Sequence, residues 1–145
     1  HFYDTYECKD NKFIAVGSIE PQFYSELLEK LEIDDKKFLD QYNKELWSEL
    51  KGLIALKIKS KTRYEWIEIF SESDACVTPV LDMQEAQDHP HNVSRKAFIN
   101  IEGFNQPNAS PRYSKTKLEI KHNSKEVGVD LDDICNEFNI SKEAF

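Results

Sequence analysis

The chain has 145 residues, and 19 Lys and Arg against 27 Asp and Glu leave a net charge of −8 at neutral pH. That length predicts one domain, or one domain with an appendage, and 39% apolar residues with nine Phe, six Tyr and two Trp exclude a disordered chain. A pI near 5.0 speaks against a general nucleic-acid binder, which needs clustered Lys and Arg, and no apolar run approaches the roughly 20 residues of a membrane span. The opening His1-Phe2-Tyr3-Asp4 has no Met, no basic segment and no apolar leader. A piece of a longer protein, without a signal peptide, is therefore expected.

In chain order, Phe2 to Tyr6 alternates aromatic and polar residues as a strand does, and Phe13–Val16 reads as the returning strand of a hairpin after the polar turn Lys9–Lys12. Gly17-Ser18 ends it. Pro21 suits a first helical turn, and Phe23, Leu27, Leu28 and Leu31 follow at helical spacing. Leu46, Trp47, Leu50, Leu53 and Ile54 form the stripe of a second core-facing helix. Thr62 and Glu65 have capping-box spacing before a third helix carrying Trp66, Ile67 and Phe70. Ala75–Thr78 reads as a short buried strand closed by Pro79-Val80-Leu81, with Asp82 capping a helix through Ala86. Ala97–Ile101 is another strand, ended by Gly103. From Phe104 to Lys125 two prolines and several Asn and Ser predict a connector, and a last helix with Leu131, Ile134, Cys135 and Phe138 starts after Asp130 as its N-cap. Strands and helices mix without βαβ alternation, so the class is α+β.

Most of the chemistry-bearing residues have ordinary explanations. Cys8, Cys76 and Cys135 are an odd, widely spaced set that suits buried thiols in a reducing compartment better than a disulfide framework, and without a CxxC there is no zinc ribbon. The sequons at Asn92, Asn108 and Asn139 read as chance in an Asn-rich chain. His89-Pro90-His91, with Glu85 and Asp88, offers metal-ligand types, but its spacing fits no closed four-ligand site, so an exposed loop and no metal are expected. The mixed charges of Glu29–Asp40 read as a solvated face, and Trp47, Trp66 and Phe70 as core. No GxSxG nucleophile and no glycine-rich phosphate loop occur.

One segment stands apart. Gly17-Ser18-Ile19-Glu20-Pro21-Gln22-Phe23 sets a carboxylate between a strand and the first turn of a helix, where unpaired N–H groups and the helix dipole favour negative charge. The spacing fits an imperfect N-cap and a fixed functional carboxylate equally well.

The blocks Phe2–Glu7, Lys12–Tyr24, Lys61–Trp66, Ile69-Phe70, Asp74–Leu81, His91-Asn92 and Ser110–Arg112 together resemble the alpha-methylacyl-CoA racemases, a branch of the family III CoA-transferases. The resemblance implies the small α+β domain of that fold over 1–103, with 104–145 a connector and C-terminal helix returning to a large domain outside this chain. It further implies an interlocked intracellular homodimer, mitochondrial or peroxisomal or both. The substrate would be a 2-methylacyl-CoA, whose stereocentre is inverted through an enolate with no cofactor beyond the CoA thioester itself.

The two bases of such a site, a His and an Asp, would lie outside this chain. None of His1, His89, His91 and His122 matches the catalytic histidine. Glu20 matches the glutamate that pairs with it, Tyr3 falls where the acyl pocket is lined, and Gly17 and Ile19 flank the glutamate near substrate. Alone, the chain would be inactive. Ser18 stands where the branch often has Ala, and Glu20 where transferases of the family keep a glycine-rich loop. The rival readings are a CoA-transferase working through an aspartyl intermediate and a non-catalytic binding domain derived from the fold.

Overall fold

The computed structural model describes residues 1–144, and Phe145, the end of the expected C-terminal segment, lies outside them. The chain divides into two compact units, 1–82 and 83–145. Position 103, where the family resemblance sets the end of the small domain, falls on the turn of a hairpin in the second.

In the first unit the period-two patterning builds an antiparallel sheet of order β1-β2-β3, from β1 (Tyr3–Glu7), β2 (Phe13–Gly17) and β3 (Val77–Val80). The register pairs Tyr3 with Gly17, Tyr6 with Ile14, and Val16 with Val77. Tyr6, Ile14 and Val16 are buried in the core, while Tyr3, Thr5 and Phe13 alternate with them and stay exposed. β3 starts two residues later and is less buried than the strand expected over Ala75–Thr78. Ala75 is fully buried, but Cys76 takes a left-handed conformation (φ 54°) and is exposed, so pairing starts only at Val77. As an edge strand β3 tolerates Pro79, which has no N–H for a ladder.

Three helices cover the sheet's inner face. α1 (Pro21–Lys30) begins with its proline in the first turn and buries Tyr24 and Leu27, with Leu31 just beyond. Tyr24, rather than the expected Phe23, reaches the core, and its hydroxyl lies 2.8 Å from Nε2 of buried His1. A 3₁₀ turn, Lys36–Leu39, capped by Asp35, buries Phe38 inside the run read as a solvated face. α2 (Trp47–Ile58) turns Leu50, Ile54 and Ile58 inward at i, i+4, i+8. Leu53, expected on that stripe, sits about 100° around the helix from Ile54 and is 37% exposed.

α3 (Arg63–Phe70) carries the predicted capping box: Glu65 N donates to Thr62 Oγ1 at 3.3 Å, and Thr62 N donates to Glu65 Oε2 at 2.8 Å. Thr62→Ala is expected to cost about 1 kcal/mol. The box is also a pH device. The N–H and hydroxyl of Thr62 hold the Glu65 carboxyl below its ordinary 4.5. Its contribution is therefore full above that value and lost as pH falls through the lower folded-state pKa. Glu65→Gln keeps the reciprocal geometry without the charge. Its urea midpoint is expected below the parent's at neutral pH, with the two curves converging as pH drops under 4.5.

The second unit holds α4 (Met83–Asp88), α5 (Pro90–Ser94), the hairpin β4 (Phe98–Ile101) and β5 (Phe104–Pro107), and α6 (Leu131–Phe138). Pro90 opens a helix with His89 at its N-cap, where an exposed loop was expected. β5 lies in the expected connector. Its strand signal is hidden because pairing rests on the turn and on an amide pair: Glu102 and Gly103 both have positive φ (52° and 86°), and Asn100 Nδ2 donates to Asn105 Oδ1 at 2.7 Å. Asp130 precedes α6 but makes no capping bond, its carboxylate being drawn to Lys125. Among the described residues no helix is long and apolar enough to cross a membrane.

Candidate functional site

Between β2 and α1 the chain crosses over Ser18, Ile19 and Glu20, and hydrogen bonds fix this crossing from two sides. On one side Gly17 N donates to Cys76 O at 2.9 Å, and the hydroxyl of fully buried Ser18 donates to Ala75 O. On the other, Nε2 of buried Gln41 donates to Ser18 O at 3.2 Å and to Ile19 O at 3.0 Å, and the Tyr42 hydroxyl adds a bond to Ile19 O at 2.8 Å. Gln41 is itself held, because Trp47 Nε1 donates to its carbonyl at 2.9 Å and the Trp47 ring meets Phe2 edge-on.

Glu20 is the next residue. It occupies the N-cap position of α1 in extended conformation (φ −74°, ψ 145°), and its carbonyl accepts from Tyr24 N at 3.0 Å. Its exposed side chain makes no capping hydrogen bond. Glu20 thus sits in the cap position without capping, an arrangement that fits both an imperfect N-cap and a carboxylate held for another partner.

Beside this crossing the sheet's outer face forms an open cavity of about 410 Å³, lined among others by Tyr3, Thr5, Ala15, Gly17, Cys76 and Thr78. Its floor is made of small side chains. A Cβ placed on Gly17 would lie 3.7 Å from Tyr3 Cε2 and 3.8 Å from Cys76 O, so the glycine keeps the floor low without being sterically required. Of the residues singled out in the sequence, Tyr3 and Gly17 line this cavity together, while Glu20 lies outside its lining but close to Cys76, which belongs to it. Ile19 is not among the lining residues. Its side chain is 43% exposed, and its carbonyl carries the clamp.

The charges nearby are mostly acidic. Asp4, on the cavity wall, is paired with Lys51, which holds its carboxyl below the usual range. Glu20, Asp74 and Glu26 lie close enough to Cys76 to add to the burial that raises its thiol pKa. Cys76 is exposed, where a buried thiol was expected, whereas Cys8 and Cys135 are buried and burial pushes the Cys8 thiol up to about 11. No histidine lines the cavity, and among the described residues no group of three or more His, Cys, Asp or Glu is placed to hold a metal ion. Such a surface offers an anionic hydrogen-bond acceptor to a cationic or N–H-bearing partner, beside an apolar trough.

Gln41 and Tyr42 escaped sequence reading because nothing local marks them. Their partners are backbone carbonyls 22 or 23 positions earlier.

Known proteins are similar to this chain over most of its length. Alpha-methylacyl-CoA racemase of Mus musculus is 38% identical over 144 residues, and that of Homo sapiens 37% over 147, each match covering 98% of this chain and 38% of the relative. The CaiB/baiF CoA-transferase family protein ZK892.4 of Caenorhabditis elegans is 36% identical over 110 residues, 76% of this chain and 31% of that protein. The chain thus spans between 31% and 38% of the length of these relatives. A crystal structure of the Mycobacterium tuberculosis protein Rv3272 superposes with a TM-score of 0.67 at 17% identity over 79% of this chain and 34% of that one, which supports the fold alone. The sequence model of CoA-transferase family III matches residues 1–130, and the chain belongs to that family.

Proposed function

We propose that this chain is the small-domain portion of a racemase acting on 2-methyl-branched acyl-CoA thioesters, and that Glu20 is its contribution to the chemistry. The reading rests above all on one observation: Glu20 carries a non-capping, exposed carboxylate on a crossing clamped from both sides, close to Cys76, which lines the trough. The similarity to racemases over 98% of the chain supplies the substrate class.

Inversion beside a thioester needs a base that takes the α-proton while the C–H pair moves into the enolate and the carbonyl oxygen gains charge. An acid on the opposite face then returns a proton to carbon as the carbonyl reforms. In this proposal both groups, an imidazole and a carboxyl, come from outside the chain. Glu20 meets the imidazole, fixes its tautomer and stabilises the imidazolium formed on proton uptake. Tyr3, Gly17 and Ile19 would sit against the acyl chain. No resident cofactor is needed, CoA being part of the substrate. The proposal includes an interlocked homodimer and a mitochondrial or peroxisomal setting. It also has this chain alone inactive.

The test uses the full-length protein with one epimer of a 2-methylacyl-CoA in D2O and no second acyl acceptor, following the α-hydrogen by mass. Deuterium uptake with inversion is expected. No uptake, with CoA exchange appearing once a free carboxylic acid is added, would make the protein a transferase and overturn the reading.

A further inference from the structure

The strongest polar feature outside the reacting groups is the carboxamide of Gln41. It is buried, with only 6% of the residue exposed, and its Nε2 spends both hydrogens on the two carbonyls that immediately precede Glu20. A structural glutamine is commonly satisfied by whatever lies near. This one is aimed, because its own backbone is tied by Trp47 Nε1 and the adjacent Tyr42 hydroxyl reaches the same Ile19 carbonyl. Three donors therefore converge on two consecutive peptide units, and Ser18 anchors the first of those units from beneath. With the Ser18 and Ile19 peptides locked, Glu20 keeps only its side-chain torsions.

From this geometry we infer that Gln41 is a positioning residue for Glu20, with Tyr42 as its auxiliary; the inference rests on the proposed role of Glu20. Displacing a charge-bearing partner by about 1 Å is enough to cost on the order of 10²-fold in rate, and the clamp opposes such a displacement together with the bond from Tyr24 N to the Glu20 carbonyl.

The experiment is a double-mutant cycle in the full-length protein, read by α-proton exchange. Gln41→Met keeps volume and removes both donors. It is expected to lower kcat on the order of 10²-fold with KM little changed, and to lower it hardly further when added to Glu20→Gln, because a residue acting only through Glu20 has nothing left to position. Leaving the Ser18 carbonyl without its donor, and that of Ile19 with the Tyr42 hydroxyl alone, also threatens folding, so Tyr42→Phe serves as the second variant. Its hydroxyl is at the surface, its unfolding midpoint should match the parent's, and its kcat should fall several-fold in the same non-additive way.

Full kcat in a folded Gln41→Met, or a loss that multiplies with that of Glu20→Gln, would overturn the inference while leaving Glu20's role intact. Full activity in Glu20→Gln would instead remove the functional reading, and the positioning role with it.

Discussion

Replacing Glu20 by Gln in the full-length protein is expected to lower kcat for α-proton exchange by on the order of 10²–10⁴-fold, with KM changed little. Removing the charge of a carboxylate that orients a catalytic imidazole leaves the ring in the wrong tautomer and its cation unsupported, and that range spans the effects seen for such groups. At about 1.4 kcal/mol per decade the loss amounts to about 3–5.5 kcal/mol of transition-state stabilisation. Stability should barely move. The carboxylate makes no capping bond and is exposed, and surface changes of that kind stay within about 0.5 kcal/mol. An unchanged urea midpoint with a collapsed kcat would separate a chemical role from a structural one. Glu20→Asp adds a finer measure: it keeps the charge but draws it back by one methylene on a backbone that cannot follow, so it should recover part of the rate and no more. A Glu20→Gln protein exchanging at the parental rate would end the assignment.

What the sequence discloses about this site depends on the range of each interaction. Thr62 and Glu65 are three residues apart, and their box forms as predicted because both partners belong to one helical turn. The β1–β2 hairpin and the helices bearing Leu27, Ile54 and Trp66 are equally local, set by periods of two and 3.6. The blocks that carry the family resemblance, Gly17–Phe23 and Asp74–Leu81, are about fifty residues apart, yet Gly17 N meets Cys76 O and Ser18 meets Ala75 O. The two blocks are one place in the fold, and no local pattern says so. Gln41 is the extreme case, a buried amide in a polar run whose partners are main-chain atoms that any residue supplies. Cys76 misleads for the opposite reason: flanked by Ala75 and Val77 it looks like strand interior, but its positive φ turns it out into the cavity. Tyr3 and Gly17, singled out through the family resemblance, face each other across the hairpin register.

Trp66→Ala is expected to be the most damaging single change in the first unit, costing about 3–5 kcal/mol in urea unfolding. The side chain is 1% exposed, its ring lies tilted against Phe70 and Lys61 Nζ sits 4.9 Å above it, so truncation opens a large cavity. Its indole N–H also donates at 2.7 Å to the carbonyl of Ile58, the last residue of α2, which has no partner within the helix. Trp66→Phe separates the two contributions. It keeps most of the packing and leaves the carbonyl only the long bond from Lys61 N at 3.4 Å, for about 1 kcal/mol, so a Phe variant as unstable as the Ala variant would mean that the hydrogen bond, not the ring, joins α2 to α3. Domains of this kind hold only about 5–15 kcal/mol in all, and the Ala variant would leave the unit marginal. Leu56→Ala, on the exposed side of α2, should change little by comparison. The consequence reaches the site through β3: α3 packs on β3, and the segment leading into β3 supplies the Ala75 and Cys76 carbonyls that hold the Glu20 crossing. Loss of the Trp66 ring should therefore lower the activity of the folded fraction as well as its population. An Ala variant that stays folded at low temperature with full specific activity would mean that the crossing keeps its geometry without α3.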